Sequence, residues 1–221
     1  MSTLTVISDH SDFTVVYKPA GMNFHSQGNE PGLVGIAQQQ LNTKYYPVHR
    51  LDKVTSGLVL LPKSSAAAAT FTAMFSAHEV DKFYMALCTA KPKKKQGWIK
   101  GDMGKARRGA FKLLKTQENP AITRFYSYSL APGLRGMVLK PFSGKTHQLR
   151  VAMKSLSAPI LGDTLYGAEA SDRTYLHAYA LRFQYRDQHY CFCAPMQEGQ
   201  HAAQLNTLLS FCDNQPWQLN W

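Results

Sequence analysis

One aspartate lies in a segment whose neighbours could keep it ionised for chemistry. Residues 49–64 read HRLDKVTSGLVLLPKS, so Asp52 follows Arg50 in a short polar turn and precedes an apolar run. A carboxylate acting as a nucleophile or general base must be ionised, and a nearby arginine favours that state. An aspartate in a turn is more often a simple turn former. The Thr55-Ser56-Gly57 turn and the apolar strand behind it nevertheless make Asp52 the leading catalytic candidate.

A second cationic segment, GKTHQLRV at residues 144–151, lies far along the chain. Thr146 is a typical N-cap residue, so the pattern predicts that a helix begins at His147. His147 and Arg150 are three residues apart and would share one face of this helix. Arg150 could then reach a half-buried carboxylate such as Asp52, although an ordinary arginine on a helix surface is the alternative.

Tyr84 lies in the predicted strand of residues 82–89. An aromatic side chain with a hydroxyl group, placed on a strand, can stack on a flat base. A tyrosine buried in the core fits the same pattern equally well. The residues alone therefore leave both readings of Tyr84 open.

The chain is strongly basic, with 25 Lys and Arg residues against 14 Asp and Glu residues and a net charge of +11. This charge favours polyanionic partners, with nucleic acid the first to consider. The basic residues concentrate between Lys91 and Lys115, where several glycines interrupt them. We predict a flexible basic loop or ribbon that contacts phosphates, with a solvated surface loop as the alternative. The candidates for contact are Lys93, Lys94, Lys95, Arg107 and Arg108.

Strand patterns bounded by turn residues dominate the chain, and its few helical patterns do not alternate regularly with them. We therefore predict an α+β fold with a mixed, largely antiparallel central sheet flanked by helices and loops, in one domain over residues 1–221. Ser64 and Ser65 would cap a helix that continues to about Phe75. The other predicted elements are strands at 14–17, 57–61, 82–89, 124–130 and 137–141, a hairpin at 176–194 with its turn at 186–188, and a helix at 202–209.

Other features bound the cellular setting. The first residues do not resemble a signal peptide, and no apolar stretch has the length of a membrane helix, so we expect a cytoplasmic protein. The four cysteines are too few for a disulfide framework. Cys191 and Cys193 would share one face of a strand, which favours ordinary packing over a metal site. A monomer is the default expectation.

Four segments, taken in order, resemble the motifs of the RluA-type family of RNA pseudouridine synthases. The resemblance extends from about residue 14 to residue 194, and the active-site motif is highly specific. The matching segments are YKPAGM (17–22), HRLD with TSGL (49–52 and 55–58), KFY (82–84), and THQLR (146–150) followed by PILGD (159–163) and LHA (176–178).

The resemblance implies a pseudouridine synthase fold and the isomerisation of uridine to pseudouridine in structured rRNA or tRNA, with the uridine flipped out of its stack. It implies neither a cofactor nor a metal, and no separate RNA-binding domain. Asp52, Tyr84 and Arg150 would be catalytic, and Arg50 would fill the space that the flipped base leaves. The other implied substrate-binding residues are His49, Thr55, His147 and Leu149.

Three positions depart from the family pattern and bear on RNA preference more than on chemistry: Tyr17, Lys145 and Ala152 stand where asparagine, arginine and histidine are more usual. Whether Asp52 attacks C1′ or removes a proton from C2′ stays open. The alternatives are a non-catalytic RNA-binding module, a glycosidase, which usually needs two carboxylates, and a metal-dependent nuclease, which needs clustered acids.

Overall fold

The computed structural model describes residues 3–28 and 30–221. Its mixed order of elements and its antiparallel strand pairs confirm the predicted α+β fold. In chain order the elements are β1 (Thr5–Asp9), β2 (Phe13–Lys18), α1 (Leu33–Leu41), β3 (Ser56–Pro62), α2 (Ser65–Ser76), β4 (Asp81–Cys88), β5 (Gln96–Gly101), β6 (Met103–Lys105), β7 (Phe111–Leu113), β8 (Ala121–Ala131), β9 (Leu134–Pro141), α3 (Gln148–Ser155), β10 (Leu176–Tyr185), β11 (Gln188–Cys193) and α4 (Ala202–Thr207).

The described chain divides into two compact units, each with its own hydrophobic core. The first unit comprises the residues up to Asp81 together with Ala178–Pro195. The second comprises Lys82–His177 and Met196–Trp221. The expectation of one catalytic domain over residues 1–221 stays a prediction.

The first unit is built on strands β1, β2, β3 and β10, in that order, with β11 paired to β10. Strands β2 and β3 are buried along their whole length, as expected for inner strands covered on both faces. Helix α2 packs Phe71 and Met74 into this core. It begins as predicted, because the Ser64 Oγ accepts a hydrogen bond from the Ala67 amide at 3.1 Å.

The hairpin of β10 and β11 confirms the predicted pair of strands and refines its turn. Arg186 and Asp187 both have positive φ, 47° and 59°, as the central residues of a type I′ turn require. The turn therefore contains two residues, and Gln188 already belongs to β11.

The second unit contains an antiparallel sheet in the order β4, β9, β8 and β5. Along the first seven residues of β8, buried and half-exposed residues alternate, so this part of the strand has one covered face. Helix α3 covers that face and packs Leu149 and Met153 against residues such as Phe125 and Leu139. The C-terminal segment packs on the other face, where Phe211 stacks on Tyr128 at 5.0 Å.

One local prediction was wrong, that for the cap of α3, and another was right only in part, since the basic segment contains the predicted ribbon but is not a loop throughout. The basic segment is not one loop, because its residues 96–101 form strand β5 and Ile99 packs into the core. Strands β6 and β7 then form a separate two-stranded ribbon. Helix α3 begins at Gln148, its N-cap residue is His147 in the left-handed region at φ 57°, and no Thr146 side chain caps it.

Among residues 3–28 and 30–221, no helix has both the length and the hydropathy needed to cross a bilayer.

Candidate active site

Asp52 lies in a tight turn that leads into β3. Its side chain is half-buried, and its backbone carbonyl accepts a hydrogen bond from the Thr55 amide at 3.0 Å. Thr55 itself is 2% exposed. The predicted substrate-binding role of Thr55 is therefore joined by a structural one, since its backbone closes the turn that presents Asp52.

The fully buried Lys18 ties this turn to the end of β2. Its ammonium donates to the carbonyl oxygens of Pro19, Lys53 and Thr55 at 3.0, 3.2 and 2.8 Å. The Gly21 amide also donates to the Lys53 carbonyl at 2.8 Å. Sequence analysis noted this lysine only as part of a motif. The sequence feature that could have indicated its structural role is a lysine at the end of an apolar strand, directly before a proline.

Gly57 allows the backbone of β3 to approach that of β10. Its φ is +116°, and a Cβ atom added there would lie 2.2 Å from the Ala178 carbonyl oxygen. Neither the dihedral angle nor the space admits a side chain without movement. Glycine is therefore required in the Thr55-Ser56-Gly57 turn by close backbone packing.

His49 and Arg50 differ in their surroundings, although both were predicted to bind substrate. The His49 Nε2 accepts a hydrogen bond from the Leu60 amide at 2.9 Å, and its ring stacks on Phe75 at 4.5 Å. Arg50 is exposed. His49 thus anchors the approach to the Asp52 turn, whereas Arg50 is available to a ligand.

In the second unit, Arg150 forms a buried ion pair with Asp163. The two side chains are 6% and 2% exposed. Arg150 Nε and Nη2 donate to Asp163 Oδ2 and Oδ1 at 2.7 and 2.8 Å, a bidentate geometry that fixes the plane of the guanidinium. Arg150 is therefore not the helix-surface arginine of the alternative reading.

Tyr166 links this pair to the ribbon of β6 and β7. Its ring lies 5.0 Å from the Arg150 guanidinium carbon. Its hydroxyl is 2.8 Å from His147 Nδ1 and accepts a hydrogen bond from the Phe111 amide at 3.1 Å. The predicted site residue His147 thus joins a network with a tyrosine that sequence analysis did not single out. The Tyr166-Gly167 pair shortly after Asp163 was the available signal.

The side chain of Gln148 fastens the start of α3 to the neighbouring strand β8. Its side-chain oxygen accepts from Ser143 Oγ at 2.8 Å and from the Lys145 amide at 3.0 Å. Its side-chain nitrogen donates to the Ile122 carbonyl and to Thr123 Oγ1, both at 3.0 Å. Gln148 therefore positions the helix that carries Arg150.

Leu149 and Tyr84 both contact the core of the second unit. Leu149 is 6% exposed and packs α3 against that core, and its substrate-binding role stays a prediction. Tyr84 is half-buried on β4, opposite Leu139 of β9. It packs against the same core with part of its surface accessible, which is compatible with both earlier readings.

The residues predicted to contact phosphate have exposed side chains, and their backbone is held by neighbouring strands. Lys93, Lys94 and Lys95 precede β5, and the Lys95 carbonyl accepts from the Ser127 amide at 2.7 Å. Arg107 and Arg108 lie at the tip of the β6–β7 ribbon. These cations therefore occupy two places in the second unit.

Asp102 organises the chain beside the ribbon. Its carboxylate accepts hydrogen bonds from the backbone amides of Glu118 and Asn119 at 3.0 and 2.9 Å. A side-chain hydrogen bond from Thr116, helped by these two amides, lowers the pKa of the Asp102 carboxyl group. Asp102 is therefore ionised throughout the neutral range.

The described residues contain no group of three or more His, Cys, Asp or Glu side chains arranged to hold a metal ion. Cys191 and Cys193 are two residues apart on β11 and share one face of that strand, as predicted. The residues predicted to be catalytic would supply a base or nucleophile, a stacking phenol and an anchored cation.

Comparison with known proteins gives one family. The RNA pseudouridylate synthase family matches residues 12–155. An uncharacterized RNA pseudouridine synthase of Haemophilus influenzae is 56% identical over 185 residues, which cover 82% of this chain and 83% of the relative. The dual-specificity RNA pseudouridine synthase RluA of Pasteurella multocida is 33% identical over 192 residues, covering 82% and 87%.

The fold gives the same result. The structure of human RNA pseudouridylate synthase domain containing 1 is 25% identical and superposes with a TM-score of 0.74, covering 87% of this chain and 83% of that one. Members of the family are isomerases that act on RNA. The sequence motifs, the fold and the relatives agree, and this chain belongs to the RluA-type family of RNA pseudouridine synthases.

Proposed function

We propose that Asp52 is the essential residue with which this RNA pseudouridine synthase isomerises uridine in structured rRNA or tRNA. The observation that carries the proposal is the construction of the Asp52 turn. Lys18 holds two carbonyl groups of that turn, and Gly57 locks the strand behind it. Buried interactions of this kind position one half-buried carboxylate, which is what a nucleophile or base requires.

The reaction is balanced within the uridine itself. The bond between C1′ and N1 breaks, the uracil turns, and a new bond joins C1′ to C5. The hydrogen on C5 leaves as a proton and N1 regains one, so the net change is an isomerisation. Asp52 either attacks C1′ or removes the C2′ proton, and both routes need its ionised form.

Arg150 and Tyr84 are proposed to serve the same uridine. Arg150 stabilises the negative charge of the catalytic aspartate, and Asp163 keeps its guanidinium fixed so that no reorganisation accompanies the reaction. Tyr84 stacks on the uracil and helps to remove the C5 proton. A uridine inside a stack is inaccessible, so the base must be flipped out, and the exposed Arg50 fills the space it leaves.

The exposed cations of the second unit are proposed to bind the RNA backbone. Lys93, Lys94 and Lys95 form one group, and Arg107 and Arg108 form the other at the ribbon tip. Phosphate contacts give affinity and orientation without reading sequence. The relative named a dual-specificity enzyme supports a substrate range that includes more than one kind of RNA site. We further propose that the protein acts as a cytoplasmic monomer without cofactor or metal.

The test of the reaction is tritium release from RNA labelled at C5 of uridine. Wild-type protein should release tritium, whereas Asp52→Asn should release none and should bind RNA within about threefold of wild type, because the phosphate contacts are retained. Asp187→Asn, a change in the exposed hairpin turn, is the matched control and should behave as wild type. Equal release by Asp52→Asn and wild type would remove Asp52 from the mechanism.

The test of the backbone contacts is the salt dependence of RNA binding. Replacing Lys93, Lys94 and Lys95 by alanine should flatten the slope of log K against log salt by about 2 to 3, at ~0.7–0.9 per lost contact. Turnover of bound RNA should persist. As a control, Lys44, Lys154 and Arg186, which are also exposed, are replaced by alanine. The slope of this control should be steeper than that of the Lys93, Lys94 and Lys95 variant, and equal slopes for the two variants would contradict the assignment.

A further inference from the structure

An aromatic and cationic cluster lies on the face of the second-unit sheet that α3 does not cover. We call it the Trp98 patch; it consists of Trp98, Lys100, Arg124, Lys140 and Phe142. Strand register places Trp98 of β5 beside Arg124 of β8, and Arg124 beside Lys140 of β9. Directly paired residues of antiparallel strands point to the same face, so these side chains form a row.

The members of the patch contact one another around the indole. The Lys100 ammonium and the Arg124 guanidinium carbon lie 5.1 and 5.0 Å from the centre of the Trp98 ring. The Phe142 ring centroid is 5.0 Å from the indole. The Lys140 ammonium lies 5.1 Å from the centre of the Phe142 ring. Cations and aromatic rings are thus interleaved within one small surface.

Two features of the patch point to a ligand. Trp98 is 45% exposed, unusual for the largest apolar side chain. Arg124 Nε is buried and has no hydrogen-bond partner among the described residues. A buried donor without a partner is costly. Because this nitrogen has almost no accessible surface, a ligand reaches Arg124 through the rest of its guanidinium, whose Nη2 lies 3.4 Å from the Tyr126 hydroxyl. An exposed indole beside such a donor is the combination that unpaired nucleotides use.

The patch is separate from the candidate catalytic tyrosine. Tyr84 pairs with Leu139, whose side chain packs into the core beneath α3. Lys140 follows Leu139 on the strand and therefore points to the opposite face. An RNA that reaches both Tyr84 and the Trp98 patch must pass around the sheet of the second unit.

We propose that the Trp98 patch binds an unpaired segment of the RNA substrate, outside the catalytic residues. One base stacks on the exposed indole, while Lys100 and Arg124 bind the adjoining phosphates. The positive charge of the patch favours a polyanion over an apolar protein partner. The proposal rests on RNA being the substrate, and it predicts that long RNAs bind better than a minimal stem-loop.

The experiment measures binding of a 12-nucleotide oligouridylate by filter retention. Trp98→Ala should weaken binding about tenfold, the usual effect of losing one stacked base, and Lys100→Ala should weaken it about threefold while reducing the salt slope. Phe211→Ala is the aromatic control, since Phe211 is 47% exposed in the same unit. Lys44→Ala is the cationic control, since Lys44 lies 5.1 Å from the Tyr46 ring. Both controls should bind as wild type.

Ultraviolet crosslinking of the same oligonucleotide to wild-type protein, followed by peptide mapping, should recover the peptide that contains Trp98. This measurement needs no variant, so misfolding of Trp98→Ala would not obscure the result. Unchanged affinity of both patch variants, or crosslinks confined to other peptides, would overturn the proposal. Unchanged oligouridylate binding by both patch variants, together with polyglutamate binding that Lys100→Ala weakens, would overturn the proposal in favour of an acidic protein partner. Tritium release by wild type reports on the catalytic proposal independently.

Discussion

Replacing Asp163 by asparagine tests whether the buried ion pair organises the second unit. The substitution keeps the size of the side chain but removes the charge that faces Arg150. Both side chains are almost completely buried, so water cannot replace the lost partner. The buried guanidinium then loses the carboxylate that holds it by two hydrogen bonds.

The expected loss is large relative to the stability of a folded domain. Arg150 donates two charge-assisted hydrogen bonds to Asp163, at 2.7 and 2.8 Å. Removing one partner of a buried pair costs about 3–5 kcal/mol, whereas domains have about 5–15 kcal/mol in total. Asparagine can still accept one bond from the guanidinium, so we expect about 3 kcal/mol, the lower end of that range.

Equilibrium urea unfolding, followed by circular dichroism, measures this loss as a lower midpoint. Asp12→Asn is the matched control, because the Asp12–Arg186 pair has a similar distance of 2.9 Å but Arg186 is 71% exposed. Surface pairs contribute about 0–1 kcal/mol, so this variant should unfold close to wild type. Tritium release should fall in Asp163→Asn, even at urea concentrations where it is fully folded, because Arg150 is no longer fixed.

The reasoning would be refuted if the free energy of unfolding of Asp163→Asn lay within about 1 kcal/mol of the wild-type value and equalled that of Asp12→Asn. A loss that small is no larger than the contribution of a surface ion pair. A folded Asp163→Asn protein with wild-type turnover would separately show that the ion pair does not position Arg150 for the reaction.

Three further predictions concern single residues. Gly57→Ala should lower the thermal midpoint of unfolding, because the new Cβ would meet the Ala178 carbonyl oxygen at 2.2 Å; an unchanged midpoint would contradict the packing argument. Tyr166→Phe should increase hydrogen exchange at the Phe111 amide, which loses its acceptor, while amides of the first unit keep wild-type rates. At pH 8, Cys191 should react with a thiol reagent before the other cysteines, because burial raises the pKa of each of those thiols to about 11: Cys88, Cys193 and Cys212.

Local residue pattern was sufficient for most elements of the fold and for the family. Apolar strand patterns and turn residues predicted β2, β3, β4, β8 and β9, because strand formation and strand ends depend on neighbouring residues. Ser64 predicted the start of α2 for the same reason. The motif around Asp52 indicated the reaction, because the types and spacing of its residues can be recognised in the sequence without knowing which distant residues they contact.

Pairings between distant residues were decided by tertiary structure alone. Sequence did not identify Asp163 as a partner of Arg150, and only packing brought the two side chains together. Lys18 is basic, and three carbonyl groups that accept its hydrogen bonds make its burial favourable. Strand register assembled the Trp98 patch from three strands. Such contacts depend on which strands pair and in what register, and the local pattern of apolar residues determines neither.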